Sequence, residues 1–566
     1  MTDFAQLPYQ RPNFEQVTAE YRQLLTALNH ADDPLTAVNA ALAISKLETK
    51  IVSQQMLAEI RFSVNTLDDF YHQEEDYWNE YSPKYNEFTT EFYRELVKSP
   101  FQAELQHTFP KTLFLMAKNQ LKTFSPEVIP LLQQDNQLST KYSELIASAQ
   151  IEFAGETYNL TQMKKFQNKA DRQLRQRATQ ATTAWFVEHE AEFDQIYDQM
   201  VQVRTEIAHQ LNYDNYTDMS YDFMNRFDYD ADDVARYRQT ILEKVVPIVS
   251  QLRQRQQKRL GLDELNFYDE DYNYLSGNAT PEGTAEELVA KANDMYHEMS
   301  PETGKFFQMM VDNHNLDLLS HHGKQGGGYC EYLPEFKTPF IFANFNGTSA
   351  DVDVLTHETG HAFQTYQAQA IKAWECVFPT NEAAEIFSMS MEFIAYPWMN
   401  KFFGQQTTKY KFEHLSSAVT FLPYGVLVDH FQTEVYRHPE WTPTERKQTW
   451  RRLEKMYLPS RQYDDADLER GIYWYRQGHI FEAPFYYIDY TLAQVVAFQF
   501  WERFEVNHDD QAWADYLAMA KAGGSLTFNQ LIELGHLQSP FKDGALDDVL
   551  AKISANLAAV SETDLQ

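Results

Sequence analysis

The sequence predicts a mainly α-helical fold carrying one small β-sheet, and three observations predict it. Glycine and proline are scarce, 19 and 21 in 566 residues. Apolar residues recur at three- and four-residue spacing along most of the chain, the signature of amphipathic helices. Two stretches break that texture, and only one of them is β-prone.

In chain order, the first clear helix is FEQVTAEYRQLLTALN, residues 14–29, with Val17, Tyr21, Leu24, Leu25 and Leu28 on one side. Residues 163–211 contain neither Pro nor Gly and are rich in Gln, Ala, Arg and Glu. Most of these are good helix formers, so one or two long helices are expected there. The basic run at 172–177 reads as a solvated helix face. Residues 263–284 are acidic and Tyr-rich with Ser-Gly-Asn and Thr-Pro-Glu-Gly turn signals, hence irregular. Residues 323–347, GKQGGGYCEYLPEFKTPFIFANFNG, join a glycine loop to short β-prone runs and read as a small sheet. The length suggests three or four units of about 150 residues, and the absence of a fixed-period repeat argues against a solenoid. The division expected is an N-terminal helical lobe over 1–190 and a larger C-terminal lobe over 191–566.

Composition narrows the function. Hydrophobic residues are 43% of the chain and aromatics 14%, enough for large cores and too much for a disordered chain. Asp and Glu number 82 against 48 Lys and Arg, a net charge of -34. Such a surface repels phosphate backbones and anionic lipid, so neither nucleic acid nor a membrane is an expected partner. The two cysteines, Cys330 and Cys376, form no C-x-x-C pair, which excludes a zinc ribbon, a thioredoxin-type site and a disulfide framework. So few cysteines suit a reducing compartment. The N-terminus lacks the charged and apolar regions of a signal peptide, and no apolar run approaches the ~18 residues of a membrane span. A cytoplasmic location is the expectation.

The chemistry concentrates in DVLTHETGHAF, residues 353–363, which holds H-E-x-x-H. At about 100° per residue, His357 and His361 stand one above the other on a helix face. Two imidazoles so placed reach one cation, with Zn–N of about 2.0–2.1 Å. Glu358, one step round the helix, lies beside the metal, where its carboxylate can take a proton from an activated water. A catalytic zinc site needs a third protein ligand. The next helical stretch, NEAAEIFSMSME, offers Glu382, Glu385 and Glu392. Pro379-Thr380-Asn381 marks its start, with Asn381 a good N-cap. Glu382 is then already explained by the helix dipole, so Glu385, one turn in, is the better ligand. Glu392 reads either as an acceptor orienting an imidazole or as an exposed surface glutamate. Further on, GHIFEAPFYYIDY (478–490) supplies His and Tyr groups that could hold an oxyanion. On composition alone that tyrosine cluster reads as packing.

Taken together, KQGGGYC, FIFANFNGT, DVLTHETGHAF, EIFSMSMEF and GHIFEAPFYYIDY resemble the thimet oligopeptidase and oligoendopeptidase F family of zinc metallopeptidases, most closely its bacterial oligoendopeptidase F branch. The motifs cover about residues 320–500. The resemblance implies two helical lobes around a deep central channel, one Zn2+ per chain and short unstructured peptides as substrates cut at internal bonds. It implies His357, His361 and Glu385 as metal ligands and Glu358 as general base. It also implies His479, Tyr487 and Tyr490 as the groups polarising the substrate carbonyl. Phe481-Glu-Ala-Pro484 stands where some members carry a further tyrosine in a glycine-rich turn, which leaves the division of labour among Tyr486, Tyr487 and Tyr490 open. Gly327, Gly328 and Tyr329, with Tyr486, resemble the family's substrate-binding edge, where a peptide can add as a strand. Two other readings compete: a zinc exopeptidase of carboxypeptidase type on the same scaffold, and a non-catalytic peptide-binding protein.

Overall fold

The computed structural model describes residues 3–565 and is mainly helical. The helices needed below are numbered α1 to α11. The first three are α1 (Phe14–Asn29), α2 (Pro34–Val64) and α3 (Asp69–Lys98). Each begins on a side chain that accepts backbone N–H groups orphaned at a helix start: Asn13, Asp33 and Asp68. Tyr21, Leu25 and Leu28 of α1 are buried against α2 and α3, as the apolar spacing requires. With α4 (Lys111–Thr123) these helices share one hydrophobic core, running from Tyr21 to Ala117 and closed by Ala373 and Cys376. Most buried apolar side chains from Val128 onward belong to a second, much larger core. The packing therefore divides near residue 120, before the lobe boundary drawn at 190 from the sequence.

The second core begins with α5 (Ile129–Ala147) and a hairpin of β1 (Ile151–Phe153) and β2 (Glu156–Tyr158). The expected one or two helices of 163–211 are three: Leu160–Gln167, Arg172–Glu188 and α6 (Glu190–Gln210). The interruption before Arg172 is chemical, because Asp171 accepts the N–H groups of Gln173 and Leu174 and starts a new helix. The basic run there is not simply a solvated face. Arg175 is buried and ion-paired to the buried Asp269 at 2.6 Å, while Arg172 reaches the same carboxylate from the surface at 2.8 Å. Those bonds clamp the irregular 263–284 segment onto the helix.

After α7 (Tyr216–Phe223) comes the small sheet: β3 (Leu316–Leu319), β4 (Tyr329–Leu333) and β5 (Thr338–Phe345), in the order β3-β5-β4. β3 runs parallel to β5, and β4 antiparallel with Tyr329 opposite Phe342. β4 is thus an edge strand. Leu333, Phe340 and Phe342 pack on Leu57 and Ile60 of α2, seating the sheet on the N-terminal helices. The chain then turns into α8 (Ala350–Ala368), and Asp351 fixes that turn by accepting the N–H groups of Asn346 and Gly347.

α8 crosses α9 (Asn381–Ile394), which is buried on nearly every side and packs in turn on α11 (Tyr487–Trp501). The 31-residue α10 (Thr407–Arg437) backs α11. Gly360 marks the crossing of α8 and α9: a Cβ there would lie 2.5 Å from the Phe387 carbonyl oxygen, so only glycine permits this approach. Among the described residues no helix is long and apolar enough to cross a membrane.

Candidate metal centre

The close crossing brings His357 and His361 of α8 to Glu385 of α9. Ligand atoms of the three lie within 4.8 Å of one another. Glu385 Oε2 stands 3.3 Å from His357 Nε2 and 3.5 Å from His361 Nε2. Ser388 Oγ donates to the same oxygen at 2.8 Å, and Tyr486 OH donates to Oε1 at 3.1 Å. His357 Nδ1–H donates to Glu392 Oε1 at 2.7 Å, which leaves Nε2 as the lone-pair side facing the centre. Two imidazole nitrogens and one carboxylate, converging in a buried place, are the donor set of a catalytic zinc site, so the residues present fit that ion.

The electrostatics agree with a site made for a cation. Burial works against charge on His357, but hydrogen bonds to Glu385 and Glu392 outweigh it and hold its pKa well above the ordinary value. Burial likewise opposes ionisation of Glu385, and the two histidines override it and keep the carboxylate well below its usual range. Glu358 has no such partners; burial pushes its pKa up, with the histidines opposing. A Cβ on Gly328, at the head of β4, would lie 3.9 Å from Glu358 Oε1, so the glycine loop runs directly past this carboxylate. Gly327 adopts a left-handed φ of +95° with open space beside it, and its carbonyl is held by Asn344 at 2.9 Å. Tyr329 faces away, its hydroxyl 2.5 Å from Ser63 of α2 and its ring stacked on Phe342.

The groups of the Tyr segment also reach the centre, Tyr486 through its bond to Glu385. His479 sits among Tyr486, Tyr487 and Tyr490, ring centroids 5.9, 4.8 and 5.9 Å away. Tyr424 OH donates to Gln477 Oε1 at 2.8 Å, and Gln477 Nε2 donates to His479 Nδ1 at 2.9 Å. That chain places the imidazole proton on Nε2. Burial lowers the pKa of His479, so the ring is held as a neutral donor. The three tyrosines differ. Tyr486 is bonded to Glu385, Tyr490 feels the charges of both Glu385 and Glu358, and Tyr487 packs edge-on against Phe421 and Tyr424 of α10. A left-handed Phe485 (φ 65°) precedes them. It is held by Arg226, which bonds the Phe485 carbonyl at 2.6 Å and Asp489 at 2.8 Å, and by Gln432 on its N–H.

Two expectations from the sequence change. Thr380, not Asn381, is the N-cap of α9, its hydroxyl bonded to the Glu382 carboxylate. Glu382 does stand in the first turn of α9, as the dipole reading has it, but it is almost wholly buried, which pushes its pKa up to about 8. Glu392 is not exposed: besides His357 it accepts from His414 Nε2 at 2.7 Å, and His414 Nδ1 meets Tyr396 OH at 2.7 Å. Beside them Tyr410 OH donates to Asp353 Oδ1 at 2.6 Å. His414 and Gln477 carry no motif and could not be read from sequence. Asp353 could have been, standing one turn before His357 on the same face.

An H-E-x-x-H helix with a glutamate from the next helix, set in an almost wholly helical chain beside an edge strand, defines a metallopeptidase. Comparison with known proteins agrees. The family model described as Peptidase family M3 matches residues 165–549, and the Peptidase M3 N-terminal domain matches 4–124. The chain belongs to peptidase family M3, and it is a metalloendopeptidase. Among solved structures it is 44% identical to a PZ peptidase A determined with an inhibitor, covering 99% of this chain and 100% of that one with a TM-score of 0.93. It is 46% identical to a chain assigned as oligoendopeptidase F (99% and 100% covered, TM-score 0.93). It is 43% identical to a chain assigned as oligoendopeptidase F from Bacillus anthracis str. Ames (100% and 99% covered, TM-score 0.89). A search of curated proteins finds no match.

Proposed function

We propose that this protein is a zinc-dependent oligoendopeptidase that hydrolyses internal bonds of short unstructured peptides. The observation that carries the reading is the convergence of His357, His361 and Glu385 with Glu358 facing the edge strand at Gly328. The resemblance to oligoendopeptidase F chains over their full length supports it.

His357, His361 and Glu385 would hold the zinc ion. What zinc supplies in such a site is polarisation of a carbonyl and acidification of water. The chain's own residues do the rest. The peptide adds along β4, its backbone passing Gly327 and Gly328, where no side chain intervenes; Tyr329 braces that strand against α2. Glu358 takes the proton of the attacking water on a carboxylate oxygen and returns it to the leaving amine. His479, through Nε2–H, and Tyr490 donate to the developing oxyanion, with Tyr487 buttressing the imidazole. Tyr486 orients Glu385 and borders the substrate.

Product mass spectrometry on a pool of unstructured peptides, with and without chelator, tests this. Internal cuts that vanish with chelator and return with zinc are expected. Glu358→Gln should retain metal and lose on the order of 10²–10⁴ in rate. Trimming from one end only, or an active Glu358→Gln enzyme, would overturn the reading.

A further inference from the structure

β4 presents half of its backbone groups to an incoming peptide, and β5 shows which half. The Ile341 N–H bonds the Asn315 carbonyl, and the Pro339 carbonyl accepts from the Asn315 side chain, so these two residues of β5 turn toward β3. Backbone groups of successive strand residues point to opposite sides, so Phe340 and Phe342 turn toward β4. Their partners Glu331 and Tyr329 are engaged with them. The groups left on the open edge belong to Cys330 and Tyr332, and such unpaired groups are what an added strand takes up.

Cys330 is left for that purpose; the Tyr332 N–H is not. Glu331 starts on the α2 face of the sheet with Tyr329 and Leu333. Its carboxylate comes round to accept the Tyr332 N–H at 3.1 Å. Tyr332 itself is buried against Ala368, Ile371 and Val377, so the edge ends there against protein. Burial pushes the Glu331 pKa up to about 7, against the pull of the Tyr332 N–H and with the help of the Glu59 carboxylate of α2. Glu59 accepts from the neutral Gln55 at 2.8 Å, and among the described residues no cation pairs with either carboxylate. The other end of the edge lies at the metal centre, where Gly328 passes Glu358. From Gly328 to Tyr332 a strand advances about 13 Å, at ~3.3 Å per residue.

We propose that Glu331 is a specificity-determining residue that reads the amino terminus of the substrate. The peptide adds antiparallel to β4, pairs as far as Cys330, and sets its free terminal ammonium on the Glu331 carboxylate about four residues before the scissile bond. This rests on the peptidase reading above. Charge sets the direction. A strand antiparallel to β4 brings its amino end to Glu331, where an ammonium supplies the missing partner in a charge-assisted hydrogen bond. A parallel strand would bring its own carboxylate beside Glu331 and Glu59, a repulsion that nothing there relieves. A longer peptide has to leave the edge at this point, because the next N–H is taken.

The test is kcat/KM for a series of unstructured peptides that share one cut and carry two to eight residues before it, each with a free and an N-acetylated terminus. Wild type should be most active with about four residues before the cut. At that length acetylation should lower kcat/KM about tenfold, mostly through KM, because the ammonium is remote from the reacting atoms. Glu331→Gln keeps an acceptor for Tyr332 and removes the charge, and should bring the free-to-acetylated ratio to about one. Glu331→Ala frees the N–H and should move the optimum to longer peptides. Wild type alone can overturn the proposal, by an equal rate for free and acetylated peptides at every length, or by a penalty on amidating the carboxyl terminus instead. An unchanged ratio in Glu331→Gln would overturn it too, while leaving the peptidase reading intact. Absence of any cleavage by zinc-loaded wild type would overturn the peptidase reading, and this one with it.

Discussion

The molecule buries carboxylates in two regions and treats them oppositely. At the metal centre Glu385 and Glu392 are surrounded by His357, His361 and His414, and despite burial both are held below the ordinary carboxylate range. In the N-terminal core Glu48 of α2 lies near Glu375, with no cation in reach. Glu48 Oε1 accepts from Tyr21 at 2.6 Å and Thr89 at 2.8 Å, while Glu48 Oε2 and both oxygens of Glu375 have no partner. Burial there pushes Glu48 up to about 7 and Glu375 up to about 8. The difference teaches that burial alone does not decide whether a carboxylate stays charged. A partner that favours the anion does, and only the first region has one.

The most drastic way to break the contrast is to remove a donor from the centre. His357→Ala or Glu385→Ala should empty the site, taking metal content from one ion per chain to a small fraction and activity with it; elemental analysis after dialysis reads this, and unchanged content would disprove the ligand set. A finer cut is Glu392→Gln, which keeps the shape and weakens the hold on His357. Metal affinity should fall about 10–100-fold, measured by competition with a chelator, and His414→Asn should produce a smaller loss in the same direction. The smallest effect belongs to the other region. Glu48 and Glu375 bind protons more tightly folded than unfolded, where the ordinary value is 4.5. Stability is therefore fully present at low pH and declines as pH rises from about 4.5 toward 8. Glu375→Gln should flatten that decline by on the order of 1–3 kcal/mol between the ends of the window, seen in urea melts; an identical slope in the variant would refute the assignment.

What was legible in the sequence was what is local. His357, Glu358 and His361 are one helical turn, so spacing alone sets their geometry, and Glu385 follows from the phase of the next helix. The helical texture and the glycine-led sheet are likewise short-range signals. His414, Gln477 and Tyr424 were illegible because their partners lie on other elements and single residues of these types carry no pattern. The burial of Arg175 was missed for the same reason: its face looks solvated until the 263–284 segment folds over it. The unlike settings of Tyr486, Tyr487 and Tyr490 depend on the left-handed Phe485 and the Arg226 clamp, which no periodicity announces.

The contact at Gly360 has a mechanical corollary. Because the backbones of α8 and α9 touch there, the three donors ride on one stiff unit inside the larger core. The edge strand is mounted differently: Leu333 of β4 packs with Leu57 and Ile60 of α2, outside the larger core. A change in the seating of α2 therefore moves the strand edge and leaves the donor geometry untouched.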